Sequence, residues 1–339
     1  MKAFRFDKLA GLHDLTLHDE HQPVPQRGEV LVKIRAVSLN RRDLLIAEGG
    51  YPGPVAEGRV PCSDAAGDVI AVGEGVSAFR AGDRVISTYH PRWFGGRPPA
   101  TVSNDTYGNG ADGWLMEYKA VSQEAIVPLP SGLSYQEGCT LPCAAVTAWN
   151  ALSGPSPIRA GDTVLTLGSG GVSVFAIQLA KVLGATVIST TSSEHKGARL
   201  RQLGADRIVN YSDIEAWGRH VKQELTDGLG VDRVVDVVGA GALYHSLTAV
   251  RRGGGVVLVG QLSTAGPALE AAQITASGAT LRPVRVGDRA LLEELLRAVA
   301  NARVKPVISQ EFAFADSRAA MEALGSSEHV GKIVIALPD

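Results

Sequence analysis

Hydrophobic and polar positions change their spacing along the chain, and this change separates regions of different predicted structure. In residues 30–37 two rows of side chains alternate with the period of a β-strand. Glycine and proline then recur at short intervals as far as Gly113, as in the segments GGYPGP and FGGRPP. So many turn residues predict short strands and loops rather than long helices in the first third of the chain.

From Asp162 onward the pattern becomes a repeated alternation of strand and helix. Apolar residues at helical spacing predict a helix over 172–183, and a second helix is predicted over 194–203. Gly184 and Gly204 follow these helices, where a C-terminal cap glycine belongs. The predicted strands of this region are 163–167, 186–190, 207–210, 231–238 and 255–260. Alternating units of this length predict a parallel sheet covered on both faces.

The pattern after Gly260 is weaker and returns to β structure at the end. An amphipathic helix is predicted over 288–302, a strand entry with a short helix over 312–324, and a closing strand over 332–337. This late return predicts that the tail rejoins the N-terminal domain. The fold class is therefore α/β, a Rossmann doubly wound parallel sheet together with a β-rich domain.

Composition narrows the functional classes. A formal net charge of −2 with no basic run argues against nucleic acid or a membrane surface as partner. The N-terminus lacks the apolar core of a signal peptide, and no apolar window is long enough to span a membrane. Three cysteines do not form a disulfide framework and suit the reducing cytoplasm, which is the expected location.

A glycine-rich turn lies between the first strand and the first helix of the alternating region. Glycines in such a turn let backbone N–H groups approach a pyrophosphate at the helix N-terminus. Ser173 occupies the third glycine position of the dinucleotide-binding pattern, so its side chain must fit the contact between helix and strand. The sequence predicts a dinucleotide site built on five consecutive residues, Gly168, Ser169, Gly170, Gly171 and Val172.

The end of the second strand bears on cofactor preference. NAD-type sites place a carboxylate about 20 residues beyond the glycines. Here Thr191, Ser192 and Ser193 occupy that point, with Lys196 within reach of a 2′-phosphate. This favours NADP(H), with NAD(H) as the alternative, because a small shift of register would bring Glu194 into the site. Ser192 or Ser193 would also serve as a helix N-cap.

The whole chain resembles the medium-chain dehydrogenases/reductases, and within them the zinc-lacking branch similar to quinone oxidoreductase. The segments that carry the resemblance include AVSLNRRDLLIAEGGYP, VPCSDAAGDVIAVGEGV, LPCAAVTAWNAL and HVGKIVIAL. The resemblance implies a GroES-like catalytic domain, residues 1–126 and 303–339, around a dinucleotide-binding Rossmann domain, residues 127–302. It also implies a homodimer, with residues 280–286 as candidates for the contact.

The resemblance also implies which residues correspond to catalytic zinc ligands in related alcohol dehydrogenases. Those places hold Asn40, Ser63 with Asp64, and Cys143. One thiolate and one carboxylate make a poor tetrahedral zinc set, so we expect no metal. Without metal, hydride transfer suits a quinone or an activated alkene, whose developing charge can be met by hydrogen bonds and protons.

Three residues are the candidates for chemistry in such a reaction. Asn40 resembles an asparagine that lines the nicotinamide pocket in quinone reductases, or else makes backbone turns. Tyr51 resembles a tyrosine proposed as proton donor or orienter in enoyl-thioester reductases, or else is a packed or surface aromatic. His90 falls at a pocket position, as an acid or as a polar lining group. Asp43 matches an aspartate that is more often structural than chemical.

Further cofactor contacts are implied at other strand ends. Thr147 resembles a threonine beside the nicotinamide, and Tyr211 a tyrosine at the adenosine end. Val238, Gly239, Gly260 and Gln261 end later strands, where a doubly wound sheet opens its ligand crevice. The first hypothesis is thus a zinc-independent NADP(H)-dependent reductase acting on a small quinone, activated alkene or carbonyl compound. The alternatives are an alcohol or aldehyde dehydrogenase and an NADPH-binding sensor without turnover.

Overall fold

The computed structural model describes residues 1–260, 262–263 and 265–338, which divide into two compact units. Unit 1 is Met1–Val146 with Gly287–Asp339, and unit 2 is Thr147–Val286. These divisions differ from the predicted domain boundaries after residues 126 and 302. Helix 289–302 belongs to unit 1 because its first residue bonds the carbonyl of Trp93 and pairs with Glu124. Compact units are not the same as functional domains, so the predicted domain boundaries stay a prediction.

Unit 1 is built on a mainly antiparallel sheet with the order β14-β15-β3-β4-β5-β7, in which β6 also pairs with β3. A separate pair, β1 with β2, is antiparallel. The closing strand β15 lies between β14 and β3, so the predicted return of the tail is confirmed. The strands of unit 1 are β1 Lys2–Phe6, β2 Leu15–Asp19, β3 Glu29–Ser38, β4 Asp64–Val72, β5 Arg84–Ser87, β6 Tyr118–Ser122, β7 Ile126–Pro128, β14 Ile308–Ala313 and β15 Lys332–Ala336.

The helices of unit 1 are short at its start and longer at its end. The predicted absence of long helices from the first third is confirmed, since its one α-helix in the described chain has seven residues. The core is filled by Phe6, Leu15, Trp114 and Ile335, each almost fully buried. The helices are α1 Arg41–Ala47, α2 Tyr135–Gly138, a π-helical turn Leu141–Ala145, α9 Arg289–Ala302 and α10 Ser317–Ser326.

Unit 2 is a doubly wound sheet, as its alternating pattern predicts. The described strands are all parallel and run in the order β10-β9-β8-β11-β12-β13, the dinucleotide-binding order in which the sequence direction reverses between β8 and β11. Its elements are α3 Val146–Ser153 (which begins one residue before the unit), β8 Thr163–Leu167, α4 Gly171–Val182, β9 Thr186–Thr191, α5 Glu194–Gln202, β10 Arg207–Asn210, α6 Trp217–Glu224, β11 Val231–Asp236, α7 Leu243–Ala249, β12 Val250–Leu258, α8 Ala271–Ser277 and β13 Thr280–Pro283.

Most predicted bounds agree with the structure to within two residues. The largest difference is β12, which begins at Val250 rather than at residue 255. Three consecutive glycines, Gly253–Gly255, hid the strand because glycine has low strand preference. No helix within residues 1–260, 262–263 and 265–338 is both long and apolar enough to cross a bilayer.

Candidate functional site

The glycine turn of unit 2 connects β8 to α4 and leaves open space beside the helix N-terminus. Gly168 has a φ of +74°, which favours glycine, and its N–H donates to the carbonyl of Thr190 at 2.9 Å. A Cβ added at Gly168 or at Gly170 would meet nothing within 4 Å. Since no side-chain hydrogen bond caps α4, the turn can receive an anion on backbone N–H groups.

Ser173 shows how the turn tolerates a side chain at its third glycine position. The residue is buried, and its hydroxyl donates to the carbonyl of Leu167 at 2.6 Å. The hydroxyl thus ties the first turn of α4 to the end of β8. The expectation that this side chain must fit the contact between helix and strand is met by a hydrogen bond.

Four residues predicted to bind the adenosine end of the cofactor lie close together at the end of β9. Thr191 is buried, and its hydroxyl oxygen accepts a bond from Ser193 N–H at 3.3 Å. Ser193 caps α5 by accepting from Lys196 N–H at 3.5 Å, which confirms the N-cap reading for this serine. Ser192 is exposed beside them. Tyr211 joins the group because its N–H donates to the carbonyl of Thr191 at 3.0 Å.

Glu194, the acid that would favour NAD(H), is directed elsewhere. Its carboxylate pairs with the guanidinium of Arg201 at 3.1 Å, along α5. Lys196 is half-buried in the first turn of the same helix. The residues able to meet a ribose 2′-substituent are therefore hydroxyls and one lysine.

The loop after β11 is organised by an aspartate that the sequence did not single out. Asp236 accepts bonds from the N–H groups of Val238 and Gly239, both at 2.9 Å, and from the Ser246 hydroxyl at 2.7 Å. Burial raises the pKa of Asp236, and the three bonds oppose that shift. The N–H groups of Val238 and Gly239 are thus already hydrogen-bonded within the protein.

Three further residues of unit 2 were predicted to contact the cofactor. Thr147 is buried in α3. At Gly260 an added Cβ would lie 2.2 Å from the carbonyl oxygen of Val237, so glycine is required there by close backbone approach. Gln261 lies outside the described residues.

Asn40, the first candidate of unit 1, lies just before α1 and is held at both ends of its amide. The Lys332 ammonium donates to Asn40 Oδ1 at 2.7 Å, and Asn40 Nδ2 donates to Asp64 Oδ2 at 2.9 Å. Ser63 adds a bond from its hydroxyl to Asp64 Oδ1 at 2.6 Å. These four residues, Asn40, Ser63, Asp64 and Lys332, form what we call the amide bridge.

The amide bridge joins two buried charges of opposite sign. Asp64 is fully buried and Lys332 is 4% exposed. Burial raises the pKa of Asp64, and the Lys332 ammonium with the two hydrogen bonds works against that shift. A buried carboxylate without a compensating cation would cost several kcal/mol, on the order of 3–5. The lysine is therefore the compensating charge for Asp64.

The residues that the resemblance puts at catalytic zinc positions do not make a suitable ligand set for a zinc ion. Asn40 offers a neutral amide whose two ends are already hydrogen-bonded, and the Lys332 ammonium already opposes the raised pKa of Asp64. Burial raises the pKa of the Cys143 thiol, so the thiolate that zinc requires is disfavoured. Across the described chain no group of three or more His, Cys, Asp or Glu residues is placed to hold a metal ion.

Tyr51 lies in a cluster that the sequence did not predict. The buried guanidinium of Arg42 lies over the rings of Tyr51 and Tyr89, 5.0 Å from each centroid. Its two Nη groups donate to the carbonyl of Tyr107 at 2.7 Å and to the hydroxyl of Thr106 at 2.9 Å. The signal that could have indicated this cluster is Arg42, a charged residue in a short helix whose other buried positions are mostly apolar.

His90 and Asp43 have the contacts of structural residues. His90 is buried, bonds the carbonyl of Asp105 through Nδ1 at 3.0 Å, and packs edge-to-face against Tyr89 and Trp93. Asp43 Oδ2 accepts the N–H of Asn40 at 2.8 Å, which closes the start of α1. Burial raises the pKa of Asp43 to about 6.

Comparisons with known proteins identify relatives of both parts of the chain. Residues 26–131 match the alcohol dehydrogenase GroES-like domain, and residues 171–301 match the zinc-binding dehydrogenase family model. A zinc-type alcohol dehydrogenase-like protein of Schizosaccharomyces pombe is 35% identical, over 98% of this chain and 97% of its own length. A quinone oxidoreductase of Pseudomonas aeruginosa is 30% identical, over 98% of this chain and 99% of its own.

Solved structures extend the likeness to the whole fold. The structure of an NAD-dependent alcohol dehydrogenase superposes with a TM-score of 0.91 at 30% identity, covering 100% of both chains. The mycobacterial protein Rv1454c in complex with NADPH gives a TM-score of 0.82 at 27% identity, covering 99% of this chain and 100% of that one. With both units and nearly the full length matched, the chain belongs to the medium-chain dehydrogenase/reductase family.

Proposed function

We propose that the protein is a zinc-independent NADP(H)-dependent oxidoreductase that transfers a hydride to a quinone or to an activated alkene or carbonyl compound. The observation that carries the proposal is the Lys332 ammonium, 2.7 Å from Oδ1 of Asn40, which the resemblance puts at a zinc position of related alcohol dehydrogenases. An enzyme with a lysine beside that position needs an acceptor that does not depend on metal activation. The predicted homodimer and cytoplasmic location belong to the same proposal.

Unit 2 supplies the nucleotide-binding residues. The open turn at Gly168 and Gly170 would receive the pyrophosphate on the N-terminus of α4. Ser192 and Lys196 would meet a 2′-phosphate, since hydroxyls donate to it and the ammonium neutralises it. Solved neighbours include both an NADPH complex and an NAD-dependent enzyme, so this preference rests on the residues beyond β9.

Unit 1 supplies the acceptor's surroundings. When bound, reduced nicotinamide supplies the hydride. Tyr51 would donate the proton through its hydroxyl, and Asn40 would keep one amide orientation because Lys332 and Asp64 fix its two ends. His90 would line the pocket beside Tyr89.

The test is an assay of NADPH and NADH consumption over quinones, enones, enoyl thioesters, aldehydes and simple alcohols. We expect turnover with quinones or activated alkenes, faster with NADPH than with NADH, and no stimulation by zinc. Oxidation of a simple alcohol that depends on bound zinc would favour the alcohol dehydrogenase alternative. Tight NADPH binding without turnover of any acceptor would favour a sensor.

Lys196→Ala tests the 2′-phosphate contact directly. Loss of one charge-assisted bond is expected to weaken NADPH binding by roughly tenfold while NADH binding changes little. Calorimetric Kd values for both nucleotides measure this difference. Lys222→Ala, on α6 of the same unit, is the matched control and should leave both Kd values unchanged. Equal weakening of the two nucleotides by Lys196→Ala would contradict the proposed contact.

A further inference from the structure

Arg42 is a buried cation that does not belong to the amide bridge, so its burial needs another explanation. Its side chain is 7% exposed, and the two Nη groups fix it to the loop that contains Thr106 and Tyr107. Among the residues that the structure describes, Arg42 Nε has no hydrogen-bond partner. Burying a guanidinium costs free energy, and two bonds to neutral oxygens offset only part of that cost.

The guanidinium faces two phenol rings rather than a carboxylate. Tyr51 and Tyr89 each have their ring centroid 5.0 Å from the central carbon of Arg42. A cation over the two rings is attracted to both, which holds them in place, and its charge acts on both phenol groups.

Resting on the proposed function, we infer that Arg42 is a positioning residue that acts through Tyr51. It fixes the ring of Tyr51 and stabilises the negative charge left on the phenol oxygen when the proton leaves. In the reaction the acceptor gains a hydride from reduced nicotinamide and a proton from the Tyr51 hydroxyl. The electron pair of the broken O–H bond stays on the phenolate oxygen, which then takes a proton from water.

Other ionisable groups around the phenols do not supply this charge. The Cys143 thiol, on the π-helical turn, has its pKa raised by burial and stays neutral. Asp43, the neighbour on α1, is negative above its pKa of about 6 and is tied to the N–H of Asn40. Burial raises the pKa of Tyr89 strongly, and Arg42 is the largest influence that opposes it. Tyr107, on the adjoining loop, also has its pKa raised by burial.

The experiment compares Arg42→Gln, which removes the positive charge, with Arg42→Lys. The lysine keeps the charge but lacks the pair of Nη groups that bond Tyr107 and Thr106. In Arg42→Gln we expect kcat to fall by about tenfold to a hundredfold, with the KM for NADPH within about twofold of the wild type. Arg42→Lys should recover a large part of kcat. Arg80→Gln, whose side chain is 90% exposed, is the matched control and should match the wild type.

A double-mutant cycle with Tyr51→Phe identifies the route of the effect. If Arg42 acts through Tyr51, Arg42→Gln should lower kcat little further once the Tyr51 hydroxyl is gone. Equal losses in the two backgrounds would overturn the inference. If Tyr51→Phe alone leaves kcat unchanged, the proton-donor role in the proposed function fails and the inference fails with it.

A second measurement needs no turnover and separates the two proposals. Ultraviolet difference absorbance of the nucleotide-free protein follows the ionisation of its tyrosines with pH. The tyrosinate band should appear at higher pH in Arg42→Gln than in the wild type or Arg42→Lys, by about one pH unit or more. That difference should be smaller in the Tyr51→Phe background, where Tyr89 alone of the two phenols still faces the guanidinium. A band unchanged by Arg42→Gln would overturn the inference even if the enzyme reduces quinones as proposed.

Discussion

Four of the buried charged side chains of unit 1 have partners that explain why their burial is tolerated. Lys332 and Asp64 share the amide of Asn40, although Lys332 lies 292 residues away from it in sequence. Arg42 bonds Thr106 and Tyr107 on a distant loop. Asp43 has a local partner in the N–H of Asn40, and Asp64 also accepts a bond from the adjacent Ser63 hydroxyl. Three of these four environments depend on contacts that single-residue patterns do not record.

Asp43 makes the free energy of unfolding depend on pH, and its raised pKa determines the direction of that dependence. Its folded-state pKa of about 6 lies above the ordinary value, so the folded protein binds the proton more tightly than the unfolded chain. The stability from this group is present below the unfolded pKa and is lost as pH rises through about 6. Relative to Asp43→Asn, wild type should lose on the order of 1–3 kcal/mol between about pH 4 and pH 7.

Chemical denaturation of both proteins over that pH range measures the difference in unfolding free energy. Asparagine keeps an oxygen that can accept the Asn40 N–H, so the variant retains the helix cap. A wild-type advantage that stayed constant or grew with rising pH would show that Asp43 is not destabilised in its charged form.

At the scale of elements, sequence patterns were most informative for the segment that runs from β8 through the glycine turn into α4. The strand was predicted at its observed bounds, Thr163–Leu167, and the helix within one residue. Both elements have strong local signals: a short β-rich run, glycines in the turn, and apolar spacing along the helix. The bond from Ser173 to Leu167 was not predicted, because a serine in a glycine position carries no information about its acceptor.

The amide bridge was predicted only in part, for a comparable reason. Resemblance identified Asn40, Asp64 and Cys143 as the altered zinc positions, because those residues lie in recognisable segments. Lys332 also lies in such a segment, but its partner depends on β15 pairing beside β3, a long-range contact. The Arg42 cluster was missed because cation–π geometry has no signature in spacing.

Gly170 gives a test of the turn that does not disturb the fold. Its backbone is extended, with φ −71° and ψ 176°, and an added Cβ would meet nothing within 4 Å. Gly170→Ala should therefore keep the wild-type melting temperature within about 2 °C yet weaken NADPH and NADH alike by roughly tenfold or more, because the methyl group occupies pyrophosphate space.

Nucleotide titration followed by fluorescence, with melting curves, checks both parts of this expectation. Gly132→Ala is the control, since an added Cβ there also meets nothing within 4 Å and the residue lies in unit 1. Unchanged affinity in Gly170→Ala would place the pyrophosphate elsewhere.

For the whole molecule, the two units differ in how far apart their paired strands lie in sequence. The sheet of unit 2 comes from one continuous segment, Thr147–Val286. Unit 1 instead pairs β3 with β15, joining Ser38 to Val334 and Ala36 to Ala336. Closing so long a loop costs more conformational entropy than pairing neighbouring strands.

Refolding should therefore protect unit 2 before unit 1 is complete. In pulsed hydrogen exchange with mass spectrometry, peptides containing β8, β9 and β11 should gain protection earlier than peptides containing the end of β3 and β15. Simultaneous protection of β8 and β15 would indicate that the chain folds as one cooperative unit.

The long separation between Asp64 and Lys332 along the chain has a consequence during synthesis. The strand that bears Asp64 leaves the ribosome long before its countercharge does. Until Lys332 has been made, the nascent protein must leave that carboxylate hydrated or protonated, so the centre of unit 1 cannot close. A nascent chain stalled before Lys332 should therefore be more accessible to proteases in unit 1 than the full chain.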